Sequence, residues 1–161
     1  MTPWPDPVER VASFLRSTGA EARIEELGVE TPTAEAAADA VGCTLGQIVK
    51  SIVLVCDRAP VVALVPGDQK ADGGKVAQLV GARRATLARS AEVLSATGFE
   101  PGGVAPFPLE RVSVVLVERS LARHPIVWAG AGSDHHMVAL SPRELVRLTQ
   151  GRVEDLVRDS P

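Results

Sequence analysis

A pair of short apolar runs separated by a turn signal constrains the fold of this chain more than any other feature. The runs cover residues 51–56 and 61–65, and the four residues between them are Asp57-Arg58-Ala59-Pro60. Apolar runs of this length, divided by a short polar loop, are typical of a β-hairpin. A hairpin is not stable alone, so the chain must supply further strands or helices to cover it. With 161 residues, the chain is long enough to do so within one domain.

The rest of the chain alternates between helical and extended patterns. Helical spacing of apolar residues, with capping residues or Gly at the ends, predicts helices. They cover 6–18, 33–41, 72–80, 90–96, 141–150 and 152–158, with a helical turn at 44–47. Further strands are predicted over 22–27, 83–87, 112–117, 125–129 and 136–140, and a loop over 98–108. Short strands joined by both hairpins and helices indicate a single α+β domain over 1–161, in which 1–30 form an N-terminal helix and strand.

The net charge of −3 limits the classes of partner. A domain that coats duplex nucleic acid normally carries a basic patch, so this class is disfavoured, although a protein that grips only the end of an RNA is not. No apolar stretch reaches the about 20 residues of a membrane span, and the N-terminus lacks a signal-peptide pattern. We therefore expect a cytoplasmic protein without membrane association.

Lys50 is the residue with the clearest functional placement. The chain has three lysines against fourteen arginines, so Arg serves wherever a surface cation is sufficient. Lys50 nevertheless stands at the start of the apolar run, where a charge is costly unless it has a partner or a function. We predict an ammonium group at the edge of a pocket for an anionic or carbonyl-bearing ligand. The alternative is a lysine that extends from a strand end into water.

Residues 97–108 form a second candidate, because they contain three glycines and three prolines. Glycine lets a ligand approach the main chain closely, and proline fixes the shape of the loop in advance. Such a loop suits donation of backbone N–H groups to a carbonyl oxygen or an oxyanion. The alternative is an ordinary connection, but the interleaved Phe and Val favour a docked, functional loop.

A third candidate is the segment 129–136, which ends in two adjacent histidines. Neighbouring residues of a strand point to opposite faces, so His135 and His136 are not expected to share a metal ion. We expect one of them to face a pocket as a hydrogen-bonding group.

A nucleophile paired with a base is not evident. Ser51, Ser133, Cys43 and Cys56 carry suitable atoms, but none lies in a nucleophile-elbow pattern, and the two cysteines have no metal-ligand spacing. The residues alone thus predict a lysine-edged pocket with an amide-rich loop, and neither a metal nor a cofactor.

Three blocks of sequence, taken in order, resemble the YbaK family of aminoacyl-tRNA editing domains, which also occur inserted in or associated with prolyl-tRNA synthetases. The first block is the 33–42 helix followed by Gln47-Ile48-Val49-Lys50-Ser51. The second comprises Thr97-Gly98-Phe99 and Gly102-Gly103-Val104-Ala105-Pro106. The third runs from Val127-Trp128-Ala129-Gly130 to Leu140-Ser141-Pro142 and Glu144-Leu145. The resemblance covers 31–156 and depends on the order and spacing of all three blocks.

The resemblance implies a mixed, mostly antiparallel sheet surrounded by short helices, and a freestanding deacylase that hydrolyses the ester of mischarged tRNA. It implies that Lys50 is the catalytic residue and holds the terminal adenosine or its phosphate, while backbone amides of 98–106 surround the aminoacyl carbonyl. Water then attacks with help from the substrate's ribose hydroxyl. The expected partner is the 3′ CCA end of aminoacyl-tRNA. The expected substrate-binding residues are Ser51, Gly98, Phe99, Gly102, Gly103, Val104, Pro106, Gly132, Ser133, His135 and His136.

Two departures from the family pattern leave the specificity open. Pro108 stands where many members have Gly, and residues 133–137 differ from the better-known subfamilies. The resemblance gives neither the amino acid nor the tRNA, nor the oligomeric state, nor whether the protein works alone or docked to an aminoacyl-tRNA synthetase. Two rival hypotheses stay open: a non-catalytic sensor of an amino acid or of charged tRNA, and a metal-assisted hydrolase that uses the histidines.

Overall fold

An eight-stranded mixed sheet forms the centre of the computed structural model, which describes residues 3–159. The strands are β1 (Ala22–Glu26), β2 (Ile48–Cys56), β3 (Ala59–Pro66), β4 (Ala85–Leu87), β5 (Val114–Glu118), β6 (Val127–Ser133), β7 (His136–Leu140) and β8 (Arg152–Glu154). The helices are α1 (Asp6–Ser17), α2 (Ala34–Val41), α3 (Gly73–Val80), α4 (Ser90–Thr97) and α5 (Pro142–Thr149). Three 3₁₀ turns lie at Leu45–Gln47, Pro101–Gly103 and Arg119–Arg123.

The strands follow the order β1-β7-β6-β2-β3-β5-β8, and β4 pairs with β2 beside this path. The pairs β1/β7, β6/β7, β2/β3 and β2/β4 are antiparallel. The pairs β2/β6, β3/β5 and β5/β8 are parallel. The predicted α+β class with a mixed, mostly antiparallel sheet is therefore confirmed.

The predicted hairpin is formed by β2 and β3, with a tighter turn than the sequence suggests. Ala59 and Pro60 pair with Cys56 and Val55, so Asp57 and Arg58 alone make the turn. Both turn residues have positive φ, 48° and 78°. Two consecutive residues in this left-handed region give the type of turn whose twist matches that of the flanking strands.

Helices cover both faces of the sheet. Side chains of α1, α4 and α5 share one apolar cluster with Val49 and Val53 of β2, whereas α3 packs in another cluster with Leu54 and Cys56. Because both faces are buried, β2 and β3 read as almost continuous apolar runs rather than as alternating ones. The longest helix, α1, has 12 residues, and within residues 3–159 no helix has the length and apolar character needed to cross a membrane.

The predicted helix over 152–158 is wrong. Residues 152–154 form β8 against β5, and Val157 makes an isolated bridge with Ala71. Val153 and Leu156 have helical spacing, but Val153 is 48% exposed while Leu156 is fully buried. The strand forms because the outer edge of β5 offers unpaired N–H and C=O groups. Local spacing does not reveal such a distant partner.

Candidate functional site

A cleft opens where β6 separates from β2. The two strands pair at Ile48 and Val49, and β4 occupies the same edge of β2 from Leu54 onwards. Residues 50–52 therefore have no neighbouring strand on this edge. The resulting cleft has a volume of about 350 Å³ and is bordered by the N-terminus of α2, the Pro101–Gly103 turn and the junction of β6 and β7.

Ser51 presents polar groups to this gap. Along a strand, the backbone N–H and C=O groups of alternate residues point to the same edge. The Ile48 carbonyl accepts from Gly67 on the β3 side, and the Val53 carbonyl accepts from Ala88 on the opposite side. The main-chain groups of Ser51 therefore point the same way as those of Val53, into the gap. The Ser51 hydroxyl is buried and has no hydrogen-bond partner within residues 3–159.

Lys50 lines the cleft as a partly buried, anchored cation. Its Nζ donates to the Gln69 carbonyl at 2.6 Å. An ammonium group has three N–H donors, so two remain for a ligand. Burial lowers the pKa of Lys50, Glu35 and Asp68 raise it through their charges, and Lys70 lowers it. The contact with Gln69 fixes the direction of the side chain, in contrast to a lysine that merely extends into water.

The Pro101–Gly103 turn packs directly on the backbone of β6. A Cβ atom added to Gly103 would lie 2.8 Å from Cα and N of Ser133, and a Cβ on Gly130 would lie 2.9 Å from the Val104 carbonyl oxygen. Real Cβ atoms do not come so close to backbone atoms, so both positions require glycine for this approach. The glycines thus bring the turn against β6 and close one side of the cleft.

Three of the expected amide donors lie on this wall. Gly102, Gly103 and Val104 all line the cleft. The N–H of Gly103, however, already donates to the Glu100 carbonyl at 2.9 Å within the turn. Gly103 therefore acts through close packing, and its neighbours Gly102 and Val104 are the better candidates for amide donors.

Ser133 and His136 form a polar chain that also lines the cleft. The Ser133 hydroxyl lies 2.6 Å from Nδ1 of His136, and Nε2 of His136 lies 3.2 Å from a carboxylate oxygen of Glu26. His136 is 4% exposed, and its ring stands edge-on to Trp4 with 5.4 Å between ring centroids. These contacts fix the orientation of the imidazole at the cleft.

His135 lies in the turn between β6 and β7 and is not part of the cleft lining. Its side chain is 43% exposed, and its Nδ1 lies 2.5 Å from a carboxylate oxygen of Asp134. Gly132 is also outside the cleft lining, since it has φ of 105° and packs on the backbone of Pro7. Of the residues expected at 132–136, the structure brings Ser133 and His136 to the cleft.

The beginning and end of the 98–106 loop lie outside the cleft as well. Gly98 ends α4 with φ of 75°, and Phe99 is fully buried beneath the Arg10 guanidinium, 4.1 Å from the ring centroid. Pro106 and Pro108 line a separate cavity on the other side of the loop. The departure from the family pattern at Pro108 is therefore not in the cleft itself.

Sequence reasoning did not place the N-terminus of α2 at this site. Thr31, Pro32 and Thr33 line the cleft, and Thr31 donates from both its N–H and its hydroxyl to the Asp134 carbonyl, at 2.8 and 2.9 Å. The helix start was visible in the sequence, but its contact with the β6–β7 turn spans about a hundred residues. Within residues 3–159, no three His, Cys, Asp or Glu side chains are grouped to hold a metal ion.

Comparison with known proteins gives the family. The model for the "aminoacyl-tRNA editing domain" matches residues 29–148, which include every element that borders the cleft. The chain belongs to the aminoacyl-tRNA editing domain family. The resemblance seen in the three sequence blocks is therefore confirmed.

Related proteins match between 77% and 98% of this chain. A crystal structure of a candidate trans-editing enzyme for prolyl tRNA synthetase superposes with a TM-score of 0.91 and 35% identity, over 98% of this chain and all of that one. The uncharacterized protein YwhH of Bacillus subtilis is 34% identical over 91% of this chain and 93% of its own. EbsC of Enterococcus faecalis, named as a candidate Cys-tRNA(Pro)/Cys-tRNA(Cys) deacylase, is 26% identical over 77% of this chain and 76% of its own.

Proposed function

We propose that this editing domain is a freestanding hydrolase that cleaves the ester bond between an amino acid and the wrong tRNA. The observation that carries the proposal is the gap in the sheet at residues 50–52. It combines the anchored ammonium of Lys50 with main-chain groups of Ser51 that face the gap and with the Ser51 hydroxyl, which has no hydrogen-bond partner in the described part of the chain. A buried polar atom without a partner is costly, so a ligand that pairs with it gains affinity.

The reaction needs positioning and charge stabilisation rather than a protein nucleophile. Water attacks the ester carbonyl carbon, negative charge develops on the carbonyl oxygen, and the bond to the ribose oxygen then breaks to release the free amino acid. In our proposal the amides of Gly102 and Val104 and the donors of Ser51 surround that oxygen. Removal of one such preorganised donor typically reduces the rate by ~10²–10³-fold.

Lys50 acts on the other end of the substrate. With one N–H held by Gln69, the ammonium has two donors for the terminal adenosine or its phosphate. A charge in this partly buried position acts more strongly than one in water. The ribose hydroxyl next to the ester is then placed to assist the attacking water, which removes the need for a protein base.

The wall formed by Ser133, His136 and the start of α2 is our proposed amino acid pocket. We expect this pocket to select its amino acid by size, since pocket volume is a way to exclude a larger, correct amino acid. The name of EbsC makes cysteine on tRNA-Pro a natural first substrate to test. Because the proposed substrate is used where translation takes place, we expect the protein in the cytoplasm.

The test is hydrolysis of a panel of charged tRNAs: Ala-, Cys-, Ser- and Thr-tRNA, with tRNA-Pro carrying Ala or Cys among them. Lys50→Ala is the diagnostic variant. Lys70→Ala is its matched control, because Lys70 is an exposed lysine in the neighbouring loop and does not line the cleft. We expect turnover of one or two substrates, lost in Lys50→Ala and retained in Lys70→Ala.

Two results would overturn parts of this proposal. Turnover that survives in Lys50→Ala would refute the role of the lysine. A folded protein that binds charged tRNA or an amino acid but hydrolyses no member of the panel would be a sensor rather than an enzyme.

A further inference from the structure

A basic corner lies at the far end of β2, outside the site described above. Arg58 stands in the β2–β3 turn, and Arg83 and Arg84 directly precede β4. The Asp57 carboxylate accepts the N–H groups of Arg83 and Arg84 at 2.8 and 3.1 Å, and the Asp57 N–H donates to the Arg84 carbonyl at 3.3 Å. These bonds hold the three arginines in one corner of the molecule.

The guanidinium groups of this corner are not neutralised by the protein. All three arginines are exposed, and none lies within 4.0 Å of a carboxylate oxygen in the part of the chain that the structure describes. Asp57 uses its oxygens on backbone amides. Three positive side chains and one negative side chain give the corner a charge of +2, although the whole chain carries −3.

The backbone of the turn gives a second reason to look for a function. Arg58 has φ of 78°, in a region that favours glycine, and its side chain is exposed. Arginine is therefore unfavourable for the backbone conformation of the turn at this position. It is a sensible choice where a guanidinium is needed at that point of the surface.

The corner is on the same edge of β2 as the cleft. Both the gap at residues 50–52 and β4 lie on the edge that faces β6. From Lys50 to Cys56, where β2 ends, the strand advances six residues, which is about 20 Å at about 3.3 Å per residue, and the turn with Arg58 follows directly. When the last nucleotide of a tRNA is in the cleft, its acceptor stem can therefore reach the basic corner.

We propose that Arg58, Arg83 and Arg84 bind the phosphate backbone of the acceptor stem of the tRNA whose 3′ end occupies the cleft. The proposal rests on the proposed function for the position of that end. Arginine forks match phosphate oxygens with two parallel hydrogen bonds, and such contacts add affinity without reading sequence. A small basic patch on an acidic protein suits a tRNA that is bound at two points, its 3′ end and its acceptor stem, and not along its whole length.

The test compares the triple variant Arg58→Gln/Arg83→Gln/Arg84→Gln with the control Arg16→Gln/Arg143→Gln/Arg152→Gln. The control removes the same charge from exposed arginines on α1, α5 and β8. Binding of uncharged tRNA is measured over a range of salt concentrations. We expect the corner variant to bind at least tenfold more weakly at low salt, with a salt slope reduced by about 0.7–0.9 for each phosphate that the variant no longer neutralises.

Kinetics separate the corner from the cleft. On charged tRNA the corner variant should raise KM and keep kcat, while on an aminoacylated CCA trinucleotide, which has no stem, it should equal the wild type. Binding of tRNA that is unchanged in the corner variant, or reduced equally in the control, would overturn the proposal and favour an acidic protein as the partner. If no charged tRNA is hydrolysed but the corner variant still loses tRNA affinity, the proposed hydrolase function is refuted, whereas the proposed binding of tRNA by the corner is supported.

Discussion

Replacing Gly103 by alanine should displace the turn that closes the cleft. The added Cβ would lie 2.8 Å from Cα and N of Ser133 and 2.9 Å from the carbonyl carbon of Gly132. All three neighbours are backbone atoms of β6, which pairs with β2 and β7 and cannot move easily. Gly103 is not in the left-handed region, so backbone strain adds nothing and the effect is purely steric.

The size of the effect follows from these distances. Carbon atoms in good contact lie about 3.5–4.0 Å apart, so the turn must retreat by about 1 Å. Insertion of a methyl group into a packed site costs about 1–3 kcal/mol. For a domain of this length, about 2 kcal/mol lowers Tm by roughly 4–8 °C. Because a misplacement of about 1 Å can cost ~10²-fold in rate, kcat for deacylation should fall by about that factor.

The adjacent glycine supplies the control for stability. A Cβ on Gly102 would have no heavy atom within 4 Å, so Gly102→Ala should keep the wild-type Tm to within about 2 °C. The measurement is thermal unfolding of the three proteins, followed by deacylation of the substrate found in the panel. Equal Tm values for the two alanine variants would refute the close packing of the turn on β6. A fall in Tm for Gly103→Ala with unchanged kcat would refute its role in placing the amides.

Four further predictions follow from individual side chains. Ser51→Ala should change the free energy of unfolding by less than about 0.5 kcal/mol, because the hydroxyl has no partner to lose, yet it should slow deacylation; clear destabilisation would mean that the hydroxyl is satisfied within the fold. Ser133→Ala should slow deacylation by roughly five- to tenfold, the value of about 1 kcal/mol for a hydrogen bond that orients His136, whereas a trapped acyl-enzyme would make Ser133 a nucleophile. Arg58→Gly should raise Tm by about 2–4 °C through relief of the positive φ while weakening tRNA binding; a Tm that falls would contradict the strain. The Arg147 side chain and the Glu21 N–H lower the pKa of Glu144 from 4.5 to about 2. This carboxylate therefore stabilises the fold above pH 4.5, and the stabilisation is lost as the pH falls towards 2. In acid unfolding, Glu144→Gln should lack this loss of stability between pH 4.5 and 2.

Local sequence patterns were sufficient for much of the fold. Caps such as Thr33 and Ser141, whose hydroxyls accept the N–H groups of Ala36 and Glu144, mark the helix starts in the sequence and in the structure alike. The expectation that one of the two adjacent histidines faces a pocket agrees with the structure, where His136 lines the cleft and His135 does not. Such signals are readable because both partners lie within a few residues of each other.

The features that local patterns missed depend on distant neighbours. The Ser51 main chain faces a gap because β6 leaves β2 after Val49, and no pattern near Ser51 in the sequence predicts that separation. The basic corner could not be predicted for the same reason, because a net charge of −3 does not show where in the structure Asp57 holds Arg83 and Arg84. Net charge limits the size of a nucleic-acid surface, but it does not exclude a small one.

The segment that was wrongly predicted as a helix, 152–158, contributes to the position of Lys50. Its acceptor, the Gln69 carbonyl, belongs to a loop that is held from the other side by the C-terminal segment 155–159. Asp72 donates its N–H to the Leu156 carbonyl at 2.7 Å, and Arg158 donates its N–H to the Lys70 carbonyl at 2.9 Å.

A second lysine, Lys75, fastens that segment to α3, the helix that follows the loop. Nζ of Lys75 lies within 3.2 Å of carboxylate oxygens of Asp155 and Asp159 and donates to the Val157 carbonyl at 2.7 Å. A helix over 152–158 could not make this set of contacts, because the N–H of Arg158, which donates to the Lys70 carbonyl, would be used within the helix. The extended C-terminal segment, which lies beyond the residues matched by the family model, is therefore part of what holds the ammonium of Lys50 at the cleft.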